Sequence, residues 1–286
     1  MRMDALYEQV TQSIIADLEA GVAPWTKPWK CGARGGLLPF NAASNRSYSG
    51  INIPILWAAA HARGHPTHGW LTYKQAQAAG AQVRAGEKST TVVFTKKLTF
   101  KDDEDVEKQI GMLRTFNVFN EWQMEGLPKA VLEEPKPLPV LQDNAQLFIN
   151  ATGAYIRHGG DRAYYQGNGD LISLPTPESF ESRAHYLATA LHECCHWTGA
   201  KHRLDRDMTG RFRTKAYAAE ELVAELGAAF LCAHLQVEGK LRHAEYIASW
   251  IKLLKEDDRA IFTAASKASQ AADYLRAFSE KVAEAA

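Results

Sequence analysis

The stretch LHECCHWTG, residues 191–199, constrains this chain more than any other. His192 and His196 stand four residues apart, with Glu193 beside the first. On an α-helix the second histidine lies one turn on and about 40° round from the first, so both imidazoles can reach one ion. Glu193 projects beside them, placed to take a proton from water. Cys194 turns about 160° away from both histidines and reads as core packing. Cys195 lies nearer the histidine face and reads as a wall of the site.

A catalytic zinc commonly takes a third protein ligand and leaves one position open. Downstream, AYAAEELVAELGAAFLCAHL predicts an amphipathic helix carrying three glutamates among Ala, Leu, Gly and Phe. Glu221 and Glu225 fall one turn apart on one face, with Glu220 rotated from them. Glu221 is the expected third ligand and Glu225 the carboxylate that orients a histidine through its free N–H, though the reverse order satisfies the same spacing. The expected ion is Zn²⁺; histidine and carboxylate donors also accept Mn²⁺ or Co²⁺. Tyr164, Tyr165, His202 and Tyr217 are all candidates to stabilise an oxyanion. One zinc with few carboxylates argues against a nuclease, which gathers more carboxylates around hard ions.

The chain has 286 residues and four cysteines, Cys31, Cys194, Cys195 and Cys232, too few and too irregular for a secreted disulfide framework. No segment approaches the apolar length of a membrane span and MRMDALYEQV lacks a signal-peptide core, so a cytoplasmic location is expected. Formal net charge is zero, but Trp25 to Lys101 holds eleven Lys or Arg against one acidic residue, Glu87, leaving 22 basic and 32 acidic residues elsewhere. A split of this kind points to one region with a polyanionic partner.

Two predicted strands, STTVVFTKKLTF and MLRTFNVFNEWQ, alternate in polarity and flank the acidic run KDDEDVEKQ, which predicts an antiparallel hairpin. Helices are predicted over 4–20, over INIPILWAAAHARG, over 142–153 and through most of the chain beyond Ser179. The proline-rich stretch at 133–140 reads as a stiff linker between a first domain, 1–132, and a second, 141–286. The predicted class is α+β: N-terminal helices with a small antiparallel sheet, then a short sheet packed on helices. The strand candidate DLISLP, ahead of the histidine helix, could pair with an extended peptide if it forms a sheet edge.

The run HECCHWTGAKHRLDRDMTGRF, followed by YAAEELVAELGAAFL, resembles the zincin-type domain of the ArdC family of plasmid antirestriction proteins. APWTKPW, the segment around NRSYSGIN, GWLTYKQA and VRAGEKSTTVVF are similar to that family's N-terminal domain, which TraC-type plasmid primases share. The resemblance covers nearly the whole chain in the family's domain order. It implies single-stranded DNA binding, protection of incoming plasmid DNA from host restriction, and a metallopeptidase-like domain. The partners implied are single-stranded DNA and a protein, either a peptidase substrate or a restriction enzyme. A Cys-Cys pair between the two histidines departs from the family's usual aliphatic or small residues.

Binding of single strands needs cations along the phosphates and aromatic faces for the bases. Lys27, Lys30, Arg34, Arg46, Arg84 and Lys88 are the expected phosphate contacts. Trp25, Trp29 and Tyr48, in polar glycine-rich segments, are the expected stacking rings, whereas Trp57 and Phe94 are expected in the core. The glycine-lysine step at Gly86–Thr90 lacks a full phosphate-loop frame and predicts no nucleotide hydrolysis.

Overall fold

The computed structural model describes residues 3–23, 25, 37–101, 107–127, 137–208, 214–238 and 246–284. The N-terminal half opens with helix α1 (Met3–Glu19), continues through β1 (Phe40–Asn41), β2 (Arg46–Ser47), α2 (Asn52–Ala62), β3 (Gly69–Thr72), α3 (Tyr73–Ala78) and β4 (Gln82–Val83), and ends in the long strands β5 (Thr90–Lys101) and β6 (Glu107–Asn120) and the short β7 (Met124–Glu125). The C-terminal half comprises α4 (Leu138–Ala151), β8 (Tyr155–His158), β9 (Tyr164–Gln166), β10 (Leu171–Leu174), α5 (Arg183–Thr198), α6 (Lys215–Leu235), α7 (Ile247–Glu256) and α8 (Ala260–Glu284). The α+β class expected from the sequence holds.

The β5–β6 hairpin is antiparallel, in a register that pairs Phe94 with Arg114 and Val92 with Phe116. Its ladder runs on to Lys101 opposite Glu107, so both ends of the acidic run between the two predicted strands are themselves strand. The five-stranded sheet, ordered β2-β1-β3-β6-β5, is antiparallel apart from the parallel β1–β3 pair. Asn52, in the first turn of α2, exchanges two 2.7 Å hydrogen bonds with the main chain of Val93 and so covers part of the outer edge of β5.

In the second half β10 is the central strand, parallel to β8 and antiparallel to β9. The expectation that DLISLP offers a free edge is therefore overturned: both edges of β10 are already paired, and all four of its residues are buried. Helix α4 begins at Leu138, inside the stretch read as a linker. Pro137 precedes it and Pro139 falls in its first turn, where a missing N–H breaks no helical bond. Ser182 caps α5 by accepting from the N–H of His185, and Thr214 caps α6 by accepting from that of Tyr217.

One apolar cluster runs through both halves of the chain. Trp57 of α2 meets Phe230 of α6, Trp25 meets Trp250 of α7, and the Thr11 hydroxyl donates to the Asp258 carbonyl at 2.6 Å. Helices α5 and α6 approach so closely at Gly227 that a Cβ there would stand 2.7 Å from the Cys195 sulfur. This close approach puts the glutamates of α6 within reach of the histidines of α5.

Candidate metal centre

The Nε2 atom of His192 lies 3.5 Å from Glu221 Oε2, and the Nε2 of His196 lies 3.6 Å from Glu221 Oε1. One donor atom from each of the three residues falls within 4.8 Å of the others. Both imidazoles thus turn the same nitrogen toward one carboxylate, from a helix pitch that stacks residues four apart. The other ring nitrogens face carboxylates as well. His192 Nδ1 is 3.3 Å from Glu225, and His196 Nδ1 is 3.2 Å from Glu220.

Glu220 in turn accepts from the Arg206 guanidinium at 3.0 and 2.8 Å, and the same guanidinium donates to the Cys195 carbonyl and the Thr198 hydroxyl. Glu220 and Arg206 are the site residues that sequence reasoning missed. Two histidines converging on one ion each need an acceptor behind them, so a second carboxylate beside Glu225 was called for; the adjacent Glu220 was that signal. Arg206, in the loop between α5 and α6, carries no periodic signal at all.

Electrostatics bind the cluster together. Burial opposes charge on His192, but its hydrogen bonds with Glu221 and Glu225 outweigh that and raise its pKa well above the ordinary value. Burial likewise opposes charge on His196, yet Glu220 and Glu221 lift it to about 9. Glu221 is also disfavoured as an anion by burial, and the two histidines hold it well below the usual carboxylate range. Glu193 behaves differently: burial raises its pKa, offset only in part by the charges of His192 and His196 and, less, by the main-chain N–H of Tyr165. Its Oε2 is buried with no hydrogen-bond partner.

These groups line a cleft of about 830 Å³, with Tyr164, Tyr165, Tyr217 and Tyr246 among its other walls. Of the four oxyanion candidates, His202 lies outside the lining and meets Asp170 and Arg203, and the Tyr165 hydroxyl donates to Asp170 at 2.8 Å. The Tyr217 hydroxyl is 3.2 Å from that of Tyr246 and hydrogen-bonds Glu221, and Tyr164 is partly exposed at the cleft. Cys195 does not line the cleft, contrary to expectation. Its sulfur packs on Gly227 in the α5–α6 contact, and burial pushes its thiol far above the ordinary range. Cys194 is fully buried, and burial pushes its thiol to about 12.

The donors fit a divalent ion. Two imidazoles and a carboxylate converge, each imidazole is oriented from behind, and a buried carboxylate oxygen beside them has no partner. His192, His196 and Glu221 are the residues that could hold it.

The nucleic-acid candidates are distributed otherwise. Arg46 and Lys88 are exposed, and Arg84 is half-buried in an ion pair with Glu87. Trp25 and Tyr48 are 2% and 7% exposed, so the expectation that they present their rings is corrected: both are packed in the core. Phe94 errs in the opposite direction, being 44% exposed rather than buried. Trp57 is fully buried, as expected. Lys27, Trp29, Lys30 and Arg34 lie outside the described residues.

Residues 143–267 match the family model of a zincin-like metallopeptidase, and residues 4–119 match that of the N-terminal domain of anti-restriction factor ArdC. The metal-free crystal structure of the antirestriction protein ArdC from plasmid R388 superposes with a TM-score of 0.82 at 41% identity, covering 96% of this chain and 98% of that one. The Mn(II)-bound structure of the same protein gives 0.78. Among sequences, the uncharacterized protein y4eC of Sinorhizobium fredii is 45% identical over 95% of this chain and 92% of its own length. DNA primase TraC of Escherichia coli is 41% identical over 96% of this chain, a match that occupies 27% of the primase.

Proposed function

The chain belongs to the ArdC family of antirestriction proteins, and from that membership we propose that it binds single-stranded DNA and protects incoming plasmid DNA from host restriction. The observation that carries this reading is the end-to-end likeness to the R388 protein, through both halves and in the same order. The basic excess between Trp25 and Lys101 supports it, since counterion release from a phosphate backbone needs cations without a fixed sequence to read. Of the phosphate contacts expected from the sequence, Arg46 and Lys88 are exposed, with Lys27, Lys30 and Arg34 as further candidates outside the described residues.

A second reading rests on one feature of the cleft: the buried, unpartnered Oε2 of Glu193 beside the three convergent donors. In it the chain is a zinc peptidase brought to its substrate by DNA. When bound by His192, His196 and Glu221, a zinc ion would polarise a scissile carbonyl and acidify water. Glu193 would take the water proton, its basicity raised by burial and its carboxylate fixed by the Tyr165 N–H. Glu225 and Glu220 would hold the histidine rings in register. Tyr217, at the cleft beside Tyr246, is the favoured donor to a developing oxyanion.

The deciding experiment measures protection of single-stranded or newly entering plasmid DNA from a restriction enzyme by the parent protein and by Glu193→Ala, once the variant is shown to retain metal. Full protection by the variant means that DNA coating suffices. Loss of protection with metal content and DNA affinity intact means that the protein destroys a target. Absence of DNA binding and of protection in the parent would overturn the first reading.

A further inference from the structure

Of the three rings expected to stack, Trp25 and Tyr48 are packed away and Trp29 lies outside the described residues. The structure offers other rings. Along the β5–β6 ladder, paired residues share a face and so do alternate residues of each strand, so Thr90 and Val118, Val92 and Phe116, and Phe94 and Arg114 form one continuous file. Burial changes abruptly along it. Val118 and Val92 are 1% and 0% exposed in the core on which α2 packs, whereas Phe94 and Phe116 are each 44% exposed and Arg114 lies on the surface.

The two phenylalanines lie edge to face, with centroids 5.5 Å apart. Phe94 also touches the ring of Tyr48 at 6.3 Å, which braces it from the core side. Arg114 stands across the ladder from Phe94, and the exposed Arg46 precedes Tyr48 by two residues. A solvated sheet face carries small and polar side chains; two adjacent half-open phenylalanines there mark a contact surface.

Charge selects the occupant. The segment from Trp25 to Lys101 contains one acidic residue, and that residue, Glu87, is already engaged by Arg84 and Gln123. The five acidic residues between Lys101 and Lys108 lie at the far tip of the hairpin, whereas the residue paired with Phe94 is the exposed Arg114, and flat rings beside cations suit a chain of stacked bases bearing a phosphate at every step. We propose that Phe94 and Phe116 form the base-stacking platform for single-stranded DNA, with Arg114 and Arg46 as phosphate contacts at its margin. This inference rests on the reading that the protein binds single-stranded DNA, and it names the surface that does so.

The test uses the full-length protein and a fluorescein-labelled oligothymidine, with affinity followed by anisotropy across a salt series. Loss of base–aromatic stacking weakens binding by about fivefold or more for each ring removed. Phe94→Leu and Phe116→Leu should each show this, and the double variant more. The slope of affinity against salt should stay at the parent value, because leucine alters no charge. Phe94→Tyr and Phe116→Trp should bind within about twofold of the parent.

A parent that fails to bind the oligonucleotide defeats the underlying reading and the platform with it. A parent that binds, alongside a folded double-leucine variant of equal affinity, overturns the platform alone. Equal affinity with an altered elution volume would assign the rings to a protein contact instead, which overturns it too. Should the double variant misfold, the parent decides: photocrosslinking to a 5-iodouracil oligonucleotide must yield adducts at Phe94 or Phe116, and adducts confined to other segments reject the proposal.

Discussion

The cleft of the C-terminal half and the sheet face of the N-terminal half solve opposite problems with the same kinds of side chain. In the cleft the metal-binding candidates are largely enclosed and each is held by another: Arg206 fixes Glu220, Glu220 fixes His196, Glu225 fixes His192, and both histidines face Glu221. On the sheet face the cations are exposed and the rings half open. Coordination of one small ion demands atoms placed to a fraction of an ångström, which only a dense network supplies. Contact with a flexible polyanion needs charge and flat surface, and each contact is separately replaceable.

That contrast sets the scale of what substitution should do. The largest effect belongs to His192→Ala or His196→Ala, which should abolish stoichiometric metal in elemental analysis of the purified protein; full metal content in either would break the picture of a single converged site. Next is Arg206→Met, which strands the Glu220 carboxylate in a buried setting. It should destabilise the protein by about 3–5 kcal/mol in chemical denaturation. By releasing the His196 ring it should also weaken metal affinity by about 10–100-fold in competitive titration with a chelator. A normal affinity would show that the network behind the histidines is dispensable.

The N-terminal half has a buried histidine of its own, His68, and it tests whether the contrast is one of location or of function. Burial lowers the pKa of His68 from 6.5 to about 4, so the folded protein keeps it neutral while the unfolded chain takes up a proton below pH 6.5. Its contribution is intact above that pH and is lost as pH falls from 6.5 toward 4. The loss amounts to about 3 kcal/mol by proton linkage. His68→Leu should flatten the dependence of the unfolding midpoint over that window. The smallest effect is expected on the open surface: Arg46→Ala or Lys88→Ala should lower the salt slope of oligonucleotide binding by about one each and leave the melting temperature unchanged. A collapse of binding from either single change would mean that the surface is as tightly organised as the cleft.

Sequence legibility followed the same division. His192, His196 and Glu221 were legible because helical spacing is a local rule: three residues and two periodicities are enough to bring donors together. The helix beginning at Leu138 was partly obscured by prolines that the first turn tolerates. Trp25, Tyr48 and Phe94 were misassigned because burial of an aromatic ring is a non-local outcome. Glycine-rich polar surroundings in the chain say nothing about Trp250 packing on Trp25 from 225 positions away, or about where the cover of α2 on the sheet stops.

Taken alone, the sequence determined what repeats at short range: the histidine pair on its helix, the carboxylates one turn apart, the alternating hairpin and the basic excess between Trp25 and Lys101. Tertiary structure decided what depends on contacts between distant segments. It seated Arg206 behind Glu220, turned Cys195 onto Gly227 and away from the cleft, paired both edges of β10, and left Phe94 and Phe116 open beside Arg114. Periodicity fixes the direction a side chain takes from its own element, whereas the neighbour it meets is set by how elements pack, and that information is spread over the whole chain.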